Sequence, residues 1–168
     1  MKHSKNKDTQ YNTPKPLYLQ FNSEFGPFKC DVAASHENSL CDLYFTEEDN
    51  ALTKEWADNN WMNPPYKRIS PWIEKTVEEL KKGRKTTILI PNCINTIYFH
   101  ELILPNARVD IFKGRIAFID QETLLPKTNS SFGCILCMFG HCDIGFGYSR
   151  CSKTGKILKK LNNVFDEK

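Results

Sequence analysis

The order of segments along this 168-residue chain predicts an α/β fold with a mostly parallel sheet and an antiparallel edge. Strand-like and helix-like segments alternate through the first two thirds. TTILIP, residues 86–91, is β-branched and apolar throughout, as a strand covered on both faces should be. The apolar runs after residue 107 follow one another with no helical pattern between them. A single domain is expected over residues 11–150, flanked by a basic flexible N-terminus at 1–10 and a basic C-terminal segment at 151–168.

Each element has its own signal. Thr13-Pro14, then Leu17, Phe21 and Phe25 at four-residue spacing, then Gly26, describe a short amphipathic helix with a capping residue, Pro in its first turn and Gly at its exit. PFKCDVAAS, residues 27–35, reads as a strand ending in small residues, with Ser35 capping a helix to about Leu43. YFTEEDNALTKEW is mostly loop with acidic residues, and NNWMN is a short strand. That strand must stop at Pro64-Pro65, because proline offers no N–H to a ladder. Ser70 as cap, Pro71 in the first turn, the stripe Ile73, Val77, Leu80 and the exit Gly83 define a second helix. RVDIFKGRIAFID offers two strands around Lys113-Gly114-Arg115, and FGCILCMFG and DIGFGYS supply the last.

Composition is that of a soluble globular chain: 40% hydrophobic and 26% charged, with no repeat to suggest a solenoid. No apolar run approaches the ~20 residues of a membrane span, and the start lacks the apolar centre of a secretory signal, so a cytoplasmic protein without membrane contact is expected. The net charge of +3 is concentrated at Lys2, Lys5 and Lys7 and at Arg150, Lys153, Lys156, Lys159 and Lys160. Such ends suit a polyanionic partner, or simply keep the chain solvated. Cys134, Cys137, Cys142 and Cys151 with His141 have the residue types of a zinc site. Cys134 and Cys137, however, fall in an apolar strand-like run whose odd spacing sends their sulfurs to opposite faces, so buried thiols and no metal are expected.

The stretch that carries chemistry is WMNPPYKR, residues 61–68, at the end of a strand and just before a helix, where open α/β sheets bind ligands. The side-chain oxygen of Asn63 and the carbonyl of Pro64 can each accept one hydrogen of a planar amino group. Holding both hydrogens out of the ring plane turns the nitrogen lone pair toward attack, which is catalysis by preorganised acceptors without a basic side chain. Pro65 removes backbone freedom, and Tyr66 can lie flat on an aromatic base, worth roughly 1–3 kcal/mol per base. Carbonyl oxygens and aromatic faces also favour a positive sulfonium. A plain turn with a half-buried tyrosine is the competing reading.

The order Thr13-Pro14, FGPFKCDVAAS at 25–35, YFTEEDNAL at 44–52, WMNPPY at 61–66, the helix from Ser70, the strand ending at Pro91 and FKGRIAF at 112–118 resembles the phage-type DNA N-6-adenine methyltransferases over roughly residues 11–139. The resemblance implies a compact Rossmann-like class I methyltransferase fold, S-adenosylmethionine as cofactor and a flipped adenine of double-stranded DNA as substrate, in a bacterial host cell and of phage or prophage origin. It assigns Asn63, Pro64, Pro65 and Tyr66 to catalysis. Asp31, Ala33, Ala34 and Ser35 match the segment that meets the cofactor, and Thr13 and Pro14 the motif that closes over its methionine part. Asp49 is the candidate for the ribose, with Glu47 and Glu48 as neighbouring rivals. DVAAS stands where many larger methyltransferases carry a glycine-rich loop.

No long insertion is available for target readout, which leaves Lys67, Arg68, Lys113, Arg115 and the basic C-terminal segment as DNA contacts, for phosphates or for base edges. None of the seven cysteines follows a proline, unlike the nucleophile of carbon-5 cytosine methylation. Amino methylation of cytosine, RNA or a protein glutamine remains the rival chemistry, and an inactive nucleic-acid-binding module the rival class.

Overall fold

The computed structural model describes residues 11–127, 130–141 and 143–161; the basic N-terminus expected at 1–10 lies outside the described residues, as does Cys142. Strands β1 (Cys30–Asp31), β2 (Leu43–Tyr44), β3 (Asn59–Met62), β4 (Lys85–Pro91), β5 (Ala107–Lys113), β6 (Cys134–Phe139), β7 (Gly145–Cys151) and β8 (Ile157–Lys160) form one sheet in the order β2-β1-β3-β4-β6-β5-β7-β8. β1 pairs in parallel with β2 and β3, β3 with β4, and β5 with β7; β6 is antiparallel to β4 and β5, and β8 to β7. The sheet is therefore mostly parallel, with β6 reversed inside it and β8 reversed at the edge. The basic residues Lys159 and Lys160 belong to that edge strand, so the C-terminal segment is part of the sheet as far as Lys160.

Side-chain alternation along the strands builds two cores, one on each face. Trp61, Leu89, Leu136, Met138 and Cys134 face helix α1 (Lys15–Phe25), which buries Leu17, Tyr18 and Phe21 against them. Met62, Ile88, Ile90, Ile135 and Cys137 face the other way, toward helix α2 (Ser70–Lys81) and its Ile73. Burial of β4 runs unbroken from Thr86 to Ile90, matching a strand covered on both faces. The two thiols of β6 do separate: Cys134 joins the α1 core and Cys137 the α2 core.

Both helices end where the glycines stand. The Gly26 N–H closes α1 on the Asn22 carbonyl, and Gly83 leaves α2 with φ +84°, a conformation that suits a residue without Cβ. Their starts differ from expectation, since neither has a side-chain cap. The Thr13 hydroxyl accepts from Asn63, and the Ser70 hydroxyl donates to Glu74.

Three local readings are corrected. No helix follows Ser35: its Oγ accepts the Glu37 N–H over one turn, but Asp31 Oδ2 captures the Leu40 N–H and draws the chain back to the end of β1. The strand expected over 27–35 is regular only at Cys30–Asp31, because Val32 and Ala34 already bond to Trp61 and Phe45 outside the ladder. After Lys113 the second expected strand reduces to bridges of Ile119 with Asn12 and Pro126. A π-helical turn at Phe99–Ile103 and the strand β8 had no clear sequence signal.

Candidate active site

From β1 the chain crosses to β2 on one side, and from β3 to β4 on the other, so the strand order reverses between β1 and β3. Loops leaving such a pair part from one another and open a crevice at the carboxyl ends. A cleft of about 770 Å³ lies there, lined by Asp31, Ala33 and Ala34 from the end of β1 and by Asn63 to Arg68 from the end of β3. Its volume falls in the range usual for cofactor sites.

The Asn63 carboxamide is held at both ends. Its Nδ2 donates to the Tyr11 carbonyl and, at 3.0 Å, to Thr13 Oγ1, while its Oδ1 accepts the Tyr66 hydroxyl at 2.7 Å. Two acceptors on the nitrogen side and a donor on the oxygen side specify which way the amide faces. Oδ1 keeps a second lone pair for another donor. Pro64 is buried and Pro65 exposed. The Tyr66 ring is stacked on Tyr11 and meets Phe118 and Phe132 edge-on. Burial pushes its hydroxyl well above the usual phenol range, so it stays a hydrogen-bond donor.

Asp31 is buried, and burial pushes its carboxyl up to about 6, against the backbone N–H groups of Leu40 and Ala33 that favour the charged form. Its Oδ1 accepts Ala33 N–H at 3.4 Å and its Oδ2 Leu40 N–H at 3.1 Å, so it shapes the loop that walls the cleft. Thr13 lines the cleft, whereas Pro14 stands behind it as the residue before α1. Ser35 is outside the lining, as is Asp49, whose Oδ2 accepts the Thr46 N–H and hydroxyl at 2.8 and 2.9 Å; Glu47 and Asn50 line the cleft instead. Lys67 and Arg68 line it at its exposed rim. Lys113, the last residue of β5, and Arg115 just after it are exposed, apart from the cleft but on the same carboxyl edge of the sheet, and Arg115 donates to the Ser130 carbonyl. Among the described residues no group of three or more His, Cys, Asp or Glu is placed to hold a metal ion.

Comparison with known proteins adds an independent line. The family model for DNA N-6-adenine-methyltransferase (Dam) matches residues 1–147. The chain belongs to this family. Two curated relatives carry the name DNA N-6-adenine-methyltransferase. That of Escherichia phage T1 is 28% identical over 130 residues, covering 67% of this chain and 55% of the relative. That of Haemophilus phage HP1 is 30% identical over 99 residues, covering 57% of each. The chain thus spans somewhat over half the length of these relatives.

In this member of the Dam family, several cleft residues carry no sequence signal of their own. Tyr11 precedes the first motif by two positions, and Phe132 arrives from the loop before β6. Neither is near Asn63 in the chain, so only the folded sheet reveals them. Trp72 could have been anticipated, since a residue in the first turn of a helix after a strand end faces the same crevice.

Proposed function

We propose that the chain transfers the methyl group of S-adenosylmethionine to the exocyclic N6 amine of an adenine flipped out of double-stranded DNA. The observation that carries this reading is the Asn63 carboxamide, fixed by Tyr11, Thr13 and Tyr66 at the carboxyl end of β3. The names of the phage relatives point to the same substrate.

The cleft fits the cofactor. Ala33 and Ala34 leave the backbone at the end of β1 open to close approach, as a glycine-rich loop would, and Glu47 is an exposed carboxylate at the lining beyond β2. Asp31, Ala33 and Ala34 would hold it, with Glu47 rather than Asp49 for the ribose hydroxyls and Thr13 acting through Asn63. Bound there, it supplies an electrophilic methyl group on a sulfonium. Asn63 Oδ1 and the Pro64 carbonyl accept the two amine hydrogens, and the nitrogen lone pair turns out of the ring plane. Tyr66 offers its face to the base. Attack is direct, so no covalent enzyme intermediate is needed, consistent with buried Cys30, Cys134 and Cys137, whose thiols burial pushes up, to about 12 for Cys30 and Cys134.

Lys67, Arg68, Lys113 and Arg115 would meet phosphates along the carboxyl edge, and the setting is the cytoplasm of a bacterial host. The test is incubation with labelled S-adenosylmethionine and unmethylated duplex DNA, then nucleoside analysis. N6-methyladenine from the wild type and none from a folded Asn63→Ala protein is the expected result. Label in cytosine, RNA or protein would replace the substrate, and full activity of Asn63→Ala would reject the mechanism.

A further inference from the structure

Between β5 and β6 the chain makes a short two-armed turn. Ile119 bridges Pro126, the Asp120 N–H donates to the Leu125 carbonyl, and the Leu124 N–H donates to the Asp120 carbonyl. Asp120 Oδ1 accepts the N–H groups of Glu122 and Thr123, both at 2.9 Å, and Lys127 Nζ lies 3.2 Å from Asp120 Oδ2. One carboxylate thus closes the tip and pins the returning arm. On this braced tip Leu124 is 73% exposed and Leu125 64%. Leu124 also holds φ +57°, a backbone that a leucine adopts only at a cost. The left-handed backbone at Leu124 goes with the closure of the turn, and among the described residues nothing covers the two leucines it presents.

The arms of the turn stand on the candidate base slot. Phe118, one residue before the bridge, meets the Tyr66 ring at 6.2 Å, Lys127 lies 5.1 Å over the Tyr11 ring, and Asn12 pairs with Ile119. The adjoining edge carries the exposed bases Lys113 and Arg115. The apolar tip is therefore fixed to the site; basic residues lie on the adjoining edge, while the tip itself also carries the exposed carboxylate of Glu122.

We propose that Leu124 and Leu125 are an apolar wedge that enters the base stack of duplex DNA and fills the gap left by the flipped adenine, an inference that rests on the methyltransferase reading. Turning a base out forfeits stacking and pairing, and leucine side chains inserted at a step offset that loss by replacing base contacts with apolar ones. A rigid tip is needed, because a floppy one would lose in ordering entropy what it gained in contact.

The test uses the double variant Leu124→Gly/Leu125→Ser in the full chain. Glycine takes φ +57° more readily than leucine, so the turn is kept while the wedge is removed. The substrates are a duplex containing the mapped target and the same duplex with an abasic site opposite the target adenine, where the base is already loose. The variant should lose about ten-fold or more in kcat/KM on the intact duplex and far less on the abasic one. It should also show a smaller fluorescence rise with 2-aminopurine at the target, and Leu124→Met should behave as wild type. Equal losses on both duplexes, or no loss, overturn the proposal. So does conversion of a wild-type dimer to a monomer in the variant, which would assign the leucines to a second copy. A wild type that methylates neither duplex fails the underlying reading before any variant is made, and the wedge falls with it.

Discussion

Tyr11 lies on Tyr66, with ring centroids 5.2 Å apart and planes at 16°. The chain thus stacks one of its own rings on the face that the proposed mechanism reserves for the base. The backbone of Tyr11 is tied to Asn63 and that of Asn12 to Ile119, and the Tyr11 ring also meets Phe118 and Phe132 edge-on with Lys127 over it, so the main chain is braced and only side-chain rotation can clear the face. Other parts of Tyr66 already pack against both cores. An adenine stacking on Tyr66 must turn the Tyr11 ring out.

Tyr11→Ala keeps the carbonyl that orients Asn63 and removes only the ring. It should bind a duplex with a loosened target base roughly five-fold tighter, since the base no longer competes with a stacking partner. Anisotropy titration checks this. Weaker binding would make Tyr11 a second face of a sandwich rather than a placeholder.

Thr13 is expected to act through Asn63. Thr13→Val removes one of the two acceptors of Asn63 Nδ2 and leaves the buried volume nearly unchanged. With the carboxamide less firmly oriented, kcat should fall about ten-fold while KM for the cofactor moves little. Thr13→Ser, which keeps the hydroxyl, should restore kcat. A rise in cofactor KM at constant kcat would return Thr13 to a role in cofactor binding.

A buried ion cluster ties the far end of α1 to the sheet. Arg150 is fully buried; its guanidinium donates to Asp110 Oδ2 at 2.6 Å and to both Glu24 oxygens at 2.8 and 2.7 Å. Asp110 is also fully buried, so losing Arg150 leaves it with Arg108 and the Tyr148 N–H. Arg150→Met should cost about 3 kcal/mol, because breaking a buried pair leaves the Asp110 carboxylate less fully compensated. Thermal unfolding should shift down by about 6–12 °C.

Glu79 makes stability depend on pH. Burial pushes its carboxyl up, but hydrogen bonds from Lys75, Arg84 and Lys82, and the Trp56 N–H, outweigh it and hold the pKa at about 2. A carboxyl lowered on folding stabilises fully above its ordinary value of 4.5 and loses that contribution as pH falls from there toward 2. Asp31, raised from 3.8 to about 6, has the opposite sign and opposes folding increasingly as pH rises through that window. Because the two groups offset one another in the wild type, the clean readout is the difference between wild type and Glu79→Gln at each pH: the variant should lower the urea midpoint clearly at pH 7 and less at pH 3. A loss of stability in Glu79→Gln that is as large at pH 3 as at pH 7 would contradict the assignment.

Elements that bury a continuous apolar stripe or run were legible in the chain. The stripes Leu17–Phe21 and Ile73–Val77–Leu80, the unbroken strand at Thr86–Ile90 and the stop at Pro64-Pro65 arise from side-chain spacing and from proline's missing N–H, which act locally. The Ser35 helix failed because its opponent is not local: a buried carboxylate nine residues before Leu40 outcompetes the next helical turn. The short strands β1 and β2 hold only two residues each, too few for a periodicity, and exist because β3 supplies a partner.

The site divides in the same way. Asn63, Pro64, Pro65 and Tyr66 are contiguous, and their chemistry follows from residue type at a strand end. The direction in which the Asn63 carboxamide faces follows from Tyr11 and Thr13, fifty-two and fifty positions away. An amide side chain reads the same to either orientation until donors and acceptors surround it. Those neighbours are assembled only when α1 packs on Trp61 and brings the preceding strap across the end of β3, so long-range packing sets the orientation of a residue that local sequence had already placed.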